Sequence, residues 1–219
     1  MSSTGNAIAC VSVAISIGVI LMAVAISEGF RKEIGKRAAG FTGEILITVP
    51  GMDYMNDVYP LQADLSYLPE IKAVPGVRSV SETAYKPGMI KSGKDVHGVM
   101  FKGVDSTYSL DFFADFLAEG SLPDFSGERM SDEVLISKRL AAMLGLSTGE
   151  RMTVYFIGEQ VRARRLTVSG LYDIQLEDLD EKLALMDIRQ IRRLNGWRIM
   201  SRPVWKYLWA ETEARLLSA

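Results

Sequence analysis

Residues 7–26 read AIACVSVAISIGVILMAVAI, a run with no charged side chain and with only Ser12 and Ser16 as polar interruptions. A helix rising about 1.5 Å per residue would carry this run across a hydrocarbon layer of about 30 Å. The serines do not oppose that reading, because a helical serine can return its hydroxyl to a carbonyl one turn back. Everything after the run is therefore expected to be tethered to a membrane helix. Ala7, Cys10, Ala14 and Gly18 recur at helical spacing, and the pair Ala14 and Gly18 would let the backbone of another helix approach closely.

Three other readings of the run compete with this one. A secretory signal wants a basic start and a shorter apolar region. The AVA at 23–25 resembles a cleavage site, but no Lys or Arg precedes the run. A lipoprotein signal places its cysteine after the apolar region, whereas Cys10 stands near the beginning. A core helix of a water-soluble protein rarely stays apolar on every side for so long. An uncleaved membrane helix is the expectation.

Past Ile26 the helical pattern continues through SEGFRKEIGKRAAGF, with Phe30 and Ile34 on one side and Arg31, Lys32, Lys36 and Arg37 clustered. Taken alone, these cations would turn the C-terminal end of the helix toward the cytoplasm. Bulk composition bounds the remainder. The 219 residues are 48% hydrophobic and 24% charged, enough for a sizeable core, and a net charge of −2 gives no basis for binding nucleic acid. One cysteine allows no disulfide within a single chain.

From residue 43 the pattern is of short strands and helices. EILITV is a strand by its β-branched content, followed by a loop. A short helix ends at Pro75 and Gly76, and a strand starts at Val77. GMIKSGKDVHGVMFKGVD alternates around Ser92 and Gly93 as a hairpin, and a short helix is expected near 110–113. DEVLISKRLAAMLGLSTGERMTVYF reads as strand, helix and strand, with Gly145 closing the helix. QVRARRLTVSGLYDI is a strand with Val161, Ala163 and Leu166 on one side and a bulge near Arg164 and Arg165. KLALMDIRQIRRLNGW is a strand and a helix whose Ile188, Ile191 and Leu194 share a face. No internal repeat is visible, and the fold class is α+β with a mixed sheet.

Nothing in this domain reads as an active site. Residues 88–94 fit the first half of a phosphate-binding loop, but Asp95 stands where Ser or Thr is needed and a strand follows instead of a helix. His97 has no second histidine or cysteine with which to hold a metal. The acidic run LEDLDEK at 176–182 lacks the spacing of a calcium loop and reads as a solvated turn. No serine stands in a nucleophile elbow.

The order of these stretches, above all GVMFKGVD, EVLISKRLAAMLGLSTGERMTV and LTVSGLYD, resembles the permease subunits of FtsX/MacB-type ABC transporters, and among them the lipoprotein-releasing LolC/LolE branch. The resemblance covers roughly residues 7–197. It implies a MacB-like periplasmic core domain following the first membrane helix, in the bacterial inner (cytoplasmic) membrane, with further membrane helices after the domain. It also implies an N-terminus in the cytoplasm, against the charge cluster at 31–37. Such a permease is not an enzyme and holds no cofactor, since ATP is bound by a separate cytoplasmic ATPase subunit. The implied partners are that ATPase, a second permease subunit that is identical or different, membrane lipid, and a lipoprotein or other exported substrate.

The expected organisation is a short leader at 1–6, a transmembrane helix at 7–27, a helical stalk at 28–42, the core domain at 43–197 and an atypical tail at 198–219. In the stalk, Gly29, Phe30, Arg31 and Lys32 are the expected lever residues. The alternative function is a single-pass anchored extracytoplasmic binding module, and a third is a domain exported by a cleaved signal. The tail holds Trp205 and Trp209, and alone it reads as a short amphipathic helix after Pro203. The resemblance instead expects a polar turn and a strand similar to GVEIFV after Trp197. One choice of synonymous codons for residues 198–209 gives that continuation in a shifted frame, so the tail is expected to be out of frame.

Overall fold

The computed structural model describes residues 3–42, 45–47, 68–92, 95–158, 160–197 and 205–210. The chain divides into two compact units, Met1–Thr42 and Gly43–Ala219. The loop expected after the first strand, and most of the tail, lie outside the described residues.

The first unit is one unbroken helix, α1 (Ser3–Thr42). At 1.5 Å per residue it is about 60 Å long, roughly twice the hydrocarbon thickness of a bilayer. Within Ala7–Gly35 its most apolar stretch has a mean hydropathy of 2.7 and no buried residue, long and apolar enough to cross a membrane. Ser16 Oγ donates to Ser12 O at 2.8 Å, which removes one polar group from the apolar surface. Farther along, Arg37 Nε meets Glu33 Oε1 at 3.2 Å, with the acid one turn before the base as the helix dipole prefers.

The second unit is built on β1 (Ile45–Ile47), α2 (Leu68–Ala73), β2 (Val77–Ser92), β3 (Asp95–Val104), α3 (Asp111–Asp115) and β4 (Leu117–Gly120). There follow β5 (Glu133–Ser137), α4 (Lys138–Leu144), β6 (Arg151–Phe156), β7 (Arg162–Tyr172), α5 (Glu177–Lys182), β8 (Leu183–Asp187), α6 (Ile188–Leu194) and β9 (Trp205–Ala210). Strand pairing runs β2–β3–β8–β5–β7–β6 and returns to β2 through Met89 opposite Tyr155 and Ile90 opposite Val154. Six strands thus close a ring and leave no free edge among themselves. β9 and β1 extend the sheet beyond β2, and β4 extends it beyond β7.

The ring has an internal two-fold pattern. The antiparallel hairpin β2–β3 corresponds to the antiparallel pair β6–β7, and the parallel neighbours β3 and β8 correspond to β7 and β5. β5 and β8 meet antiparallel about Leu135 opposite Leu185, and each leads directly into a seven-residue helix. Each helix is capped by the last strand residue: Ser137 Oγ accepts from Leu140 N, and Asp187 accepts from Arg189 N. EVLIS-KRLAAML and LALMD-IRQIRRL share this geometry with little identity. The expectation of no repeat is thus corrected at the level of structure: apolar pattern and cap chemistry repeat where residue identity does not.

The core follows from alternation. Met152, Val154 and Phe156 point inward from β6, and Val99 and Phe101 from β3, with the Phe101 and Phe156 rings edge to face at 5.2 Å. On β5 and β8 every residue after the first is buried, because Val134, Ile136, Ala184 and Met186 join this core while Leu135 and Leu185 face the other side of the sheet. Leu140, Ala141 and Leu144 of α4 and Ile188, Ile191 and Leu194 of α6 join the same cluster, and Trp197 packs against it half-buried.

Several expectations change. The acidic run is the helix α5, not a solvated turn, and Asp180 within it is buried, since its turn packs beside α4. The bulge in β7 falls at Ser169, between Val168 and Gly170, where β5 pairs, and not at Arg164–Arg165, whose pairing with β6 is regular. Val161 and Ala163 are exposed, so the inward phase of β7 begins only at Leu166. Residues 205–210 form a strand and not an amphipathic helix: β9 pairs antiparallel with β2, Trp205 opposite Thr83 and Trp209 opposite Ser79, satisfying an edge that a helix would leave unpaired.

Candidate functional site

On α1, the residues singled out for helix packing, Ala14 and Gly18, are exposed in this chain, and a Cβ added at Gly18 would meet nothing within 4 Å. The lever residues Gly29, Phe30, Arg31 and Lys32 are also exposed and lie within the continuous helix.

In the second unit, the hairpin excludes phosphate-loop chemistry. Ser92 pairs with Asp95 to close β2 on β3, and no helix N-terminus follows residues 88–94. His97 sits on β3 opposite Ile90, and no cluster of potential metal ligands occurs among the described residues.

The buried charges are instead structural fasteners. Asp187, almost fully buried, takes Ser131 N at 2.9 Å and pairs with Arg189 at 2.6 Å. The Arg189 guanidinium goes on to donate to the main-chain oxygens of Gly127 and Phe125, at 2.6 and 3.2 Å, tying that loop to the ring. Its neighbour's hydrogen bond and charge push the Arg189 guanidinium pKa up. Lys102 is fully buried, donates to Tyr108 Oη at 2.8 Å and lies 4.5 Å from that ring's centre, and burial drives its pKa well below the ordinary lysine value. Burial likewise raises the Asp180 carboxyl, against the hydrogen bond it accepts from Leu176 N.

Sequence reasoning passed over Lys86, Arg162 and Asn195, which meet at one end of the ring. Lys86 shares the inward phase of β2 with Ala84, Gly88 and Ile90, so a charged residue on an apolar phase was the available signal. Burial and then the Arg162 charge lower the Lys86 pKa.

A ring of mixed parallel and antiparallel strands, carrying capped short helices and following a membrane-length helix, defines an anchored α+β domain without catalytic machinery among its described residues. Compared with known families, the chain matches the MacB-like periplasmic core domain over residues 7–214, and it belongs to that family. The family is that of FtsX/MacB-type ABC transporter permeases, with α1 in the inner membrane and the sheet domain in the periplasm. Among curated proteins, it is 24% identical over 200 residues to the lipoprotein-releasing system transmembrane protein LolC of Xylella fastidiosa strain Temecula1, covering 84% of this chain and 45% of that protein. LolC of Xylella fastidiosa strain 9a5c is 23% identical with the same coverage, so the chain spans less than half the length of these relatives. Among solved structures, the periplasmic region of MacB from Actinobacillus actinomycetemcomitans gives a TM-score of 0.48 at 14% identity, covering 74% of this chain and 69% of that one. The extracellular domain of the ABC-type transporter YknZ from Gram-positive bacteria gives 0.45 at 16% identity, covering 71% and 83%.

Proposed function

We propose that the chain acts as the permease component of an ABC transporter, coupling a separate cytoplasmic ATPase to the release of a lipoprotein at the periplasmic face. Its partners are that ATPase and a second permease subunit, and it contributes no cofactor of its own. The LolC relatives favour a lipoprotein as the substrate. The observation that carries the mechanism is the unbroken helix α1, whose roughly 60 Å exceeds the bilayer core by about half its length. A continuous helix transmits displacement along its axis because each turn is braced by the next, whereas a break would dissipate the displacement locally. Residues 29–32 lie within the part of α1 that follows the apolar run of residues 7–26, and there they act as the lever. Ala14 and Gly18 form the face on which another membrane helix packs.

The test is Phe30→Pro in the assembled transporter. Proline removes a helical hydrogen bond and costs about 3 kcal/mol or more of helix stability. Transport is expected to fail while basal ATPase activity of the partner persists; full transport in Phe30→Pro would refute the lever. Co-purification with an ATPase distinguishes the permease from a lone anchored binding module, and intact mass of the N-terminus reports whether a signal is cleaved.

A further inference from the structure

The inward phase of β2 contains an anomaly. Lys86 is only 6% exposed, and it points to the end of the ring where its Nζ donates to Asn195 Oδ1 at 2.6 Å. Arg162 enters from β7 at the same end and donates through Nη1 to the main-chain oxygens of Arg193 and Leu194, at 3.1 and 3.2 Å, where α6 finishes. Lys86, Arg162 and Asn195 border one cavity of about 530 Å³, within the size range of small-molecule sites.

Three observations show what would complete this cavity. The first is charge. Arg162 and Arg193 both stand close enough to Arg164 to repel its charge, and none of Lys86, Arg162, Arg164 and Arg193 is in an ion pair among the described residues. The second is an unfilled donor. Asn195 turns Oδ1 to the lysine, which leaves its Nδ2 buried without a partner. The third is the wall, where Ile157 and Trp197 give the cavity an apolar side that an inorganic ion would not use. After its bond to Asn195 Lys86 keeps two N–H donors, and after its bonds to α6 Arg162 keeps Nε and Nη2, enough to hold a carboxylate, while the apolar wall is what favours an organic anion over an inorganic one.

We propose that this cavity binds the carboxylate of a small organic anion, held between Lys86, Arg162 and Asn195 Nδ2, with the anion's apolar body against Trp197 and Ile157. The site is independent of the lever and of the identity of the transported substrate. It is tested on the full chain in detergent micelles by following the indole N–H resonance of Trp197, assigned with Trp197→Phe, during titration with three probes. These are N-acetylphenylalanine, its primary amide and inorganic phosphate. N-acetylphenylalanine is expected to shift the resonance saturably, and the amide and phosphate to bind at least about tenfold more weakly. Lys86→Met and Arg162→Gln should each weaken N-acetylphenylalanine binding by about tenfold or more. Arg162 is exposed, so Arg162→Gln remains informative if Lys86→Met fails to fold. No saturable shift, equal binding of the amide or of phosphate, or unchanged affinity in Arg162→Gln would each overturn the proposal.

Discussion

The two units of this chain dispose of apolar surface in opposite ways. In α1 the large side chains from Ile8 to Ile26 are all more than half exposed, while in the ring Val154, Leu166, Val168 and Phe101 are fully enclosed. The difference shows which solvent each unit is made for. An apolar residue on α1 is already matched to lipid, so its neighbours within the chain matter little. An apolar residue in the ring gains by leaving water and by close packing, so its exact shape matters.

The largest expected effect comes from comparing buried with exposed ion pairs. Asp187→Ala should destabilise the folded chain by about 3–5 kcal/mol, because it removes a buried charge, the α6 cap and the anchor of Arg189 together. Glu33→Ala, which breaks the exposed pair on α1, should cost about 0.3–0.5 kcal/mol. Denaturant unfolding of the two variants in the same detergent measures both, and equal losses would break the comparison.

Glycines give the next contrast. A Cβ at Gly88 would come within 2.8 Å of Val154 and 2.9 Å of Phe101, because β2 closes onto β6 there. Gly88→Ala should therefore cost about 1–3 kcal/mol by overpacking. Gly18→Ala should leave thermal stability of the isolated chain unchanged or slightly raised, since alanine favours a helix by about 1 kcal/mol. A loss of transport in Gly18→Ala without loss of stability would locate a partner helix on that face.

A smaller effect is the response to pH. The Asp180 carboxyl titrates above its ordinary value when folded, so the folded state holds its proton more tightly than the unfolded state. That contribution is fully present below the ordinary aspartate value of 3.8 and is lost as pH rises through the folded pKa. Asp180→Asn should flatten stability over the window just above pH 3.8 relative to the parent chain. An unchanged slope would show that the carboxyl is better solvated than its burial implies.

Much of the architecture was legible from particular residues. The apolar run fixed α1, Gly145 at φ 66° ends α4 as its position required, and Ile188, Ile191 and Leu194 are buried together. The errors share a cause. α5 looked like a turn because its charges are dense, and Asp180 is buried only because α5 packs beside α4. The strand at 205–210 looked helical because the edge of β2 that recruits it lies far away in sequence. Whether residues 198–219 are read in the family's frame is settled by the nucleotide sequence. Codons that cannot give the shifted reading would remove the out-of-frame expectation.

By itself the sequence determined what depends on near neighbours: a membrane-length helix, the end of α4 at Gly145, the shared face of Ile188, Ile191 and Leu194, and the motif order that marks the family. Only the tertiary structure decided that six strands close on themselves, that two strand-helix units face each other across Leu135 and Leu185, and that Lys86, Arg162 and Asn195 share one cavity. Local patterns follow from the geometry of adjacent residues. Ring closure and the meeting of charges depend on pairings between segments tens of residues apart, and a local pattern of polarity does not encode those.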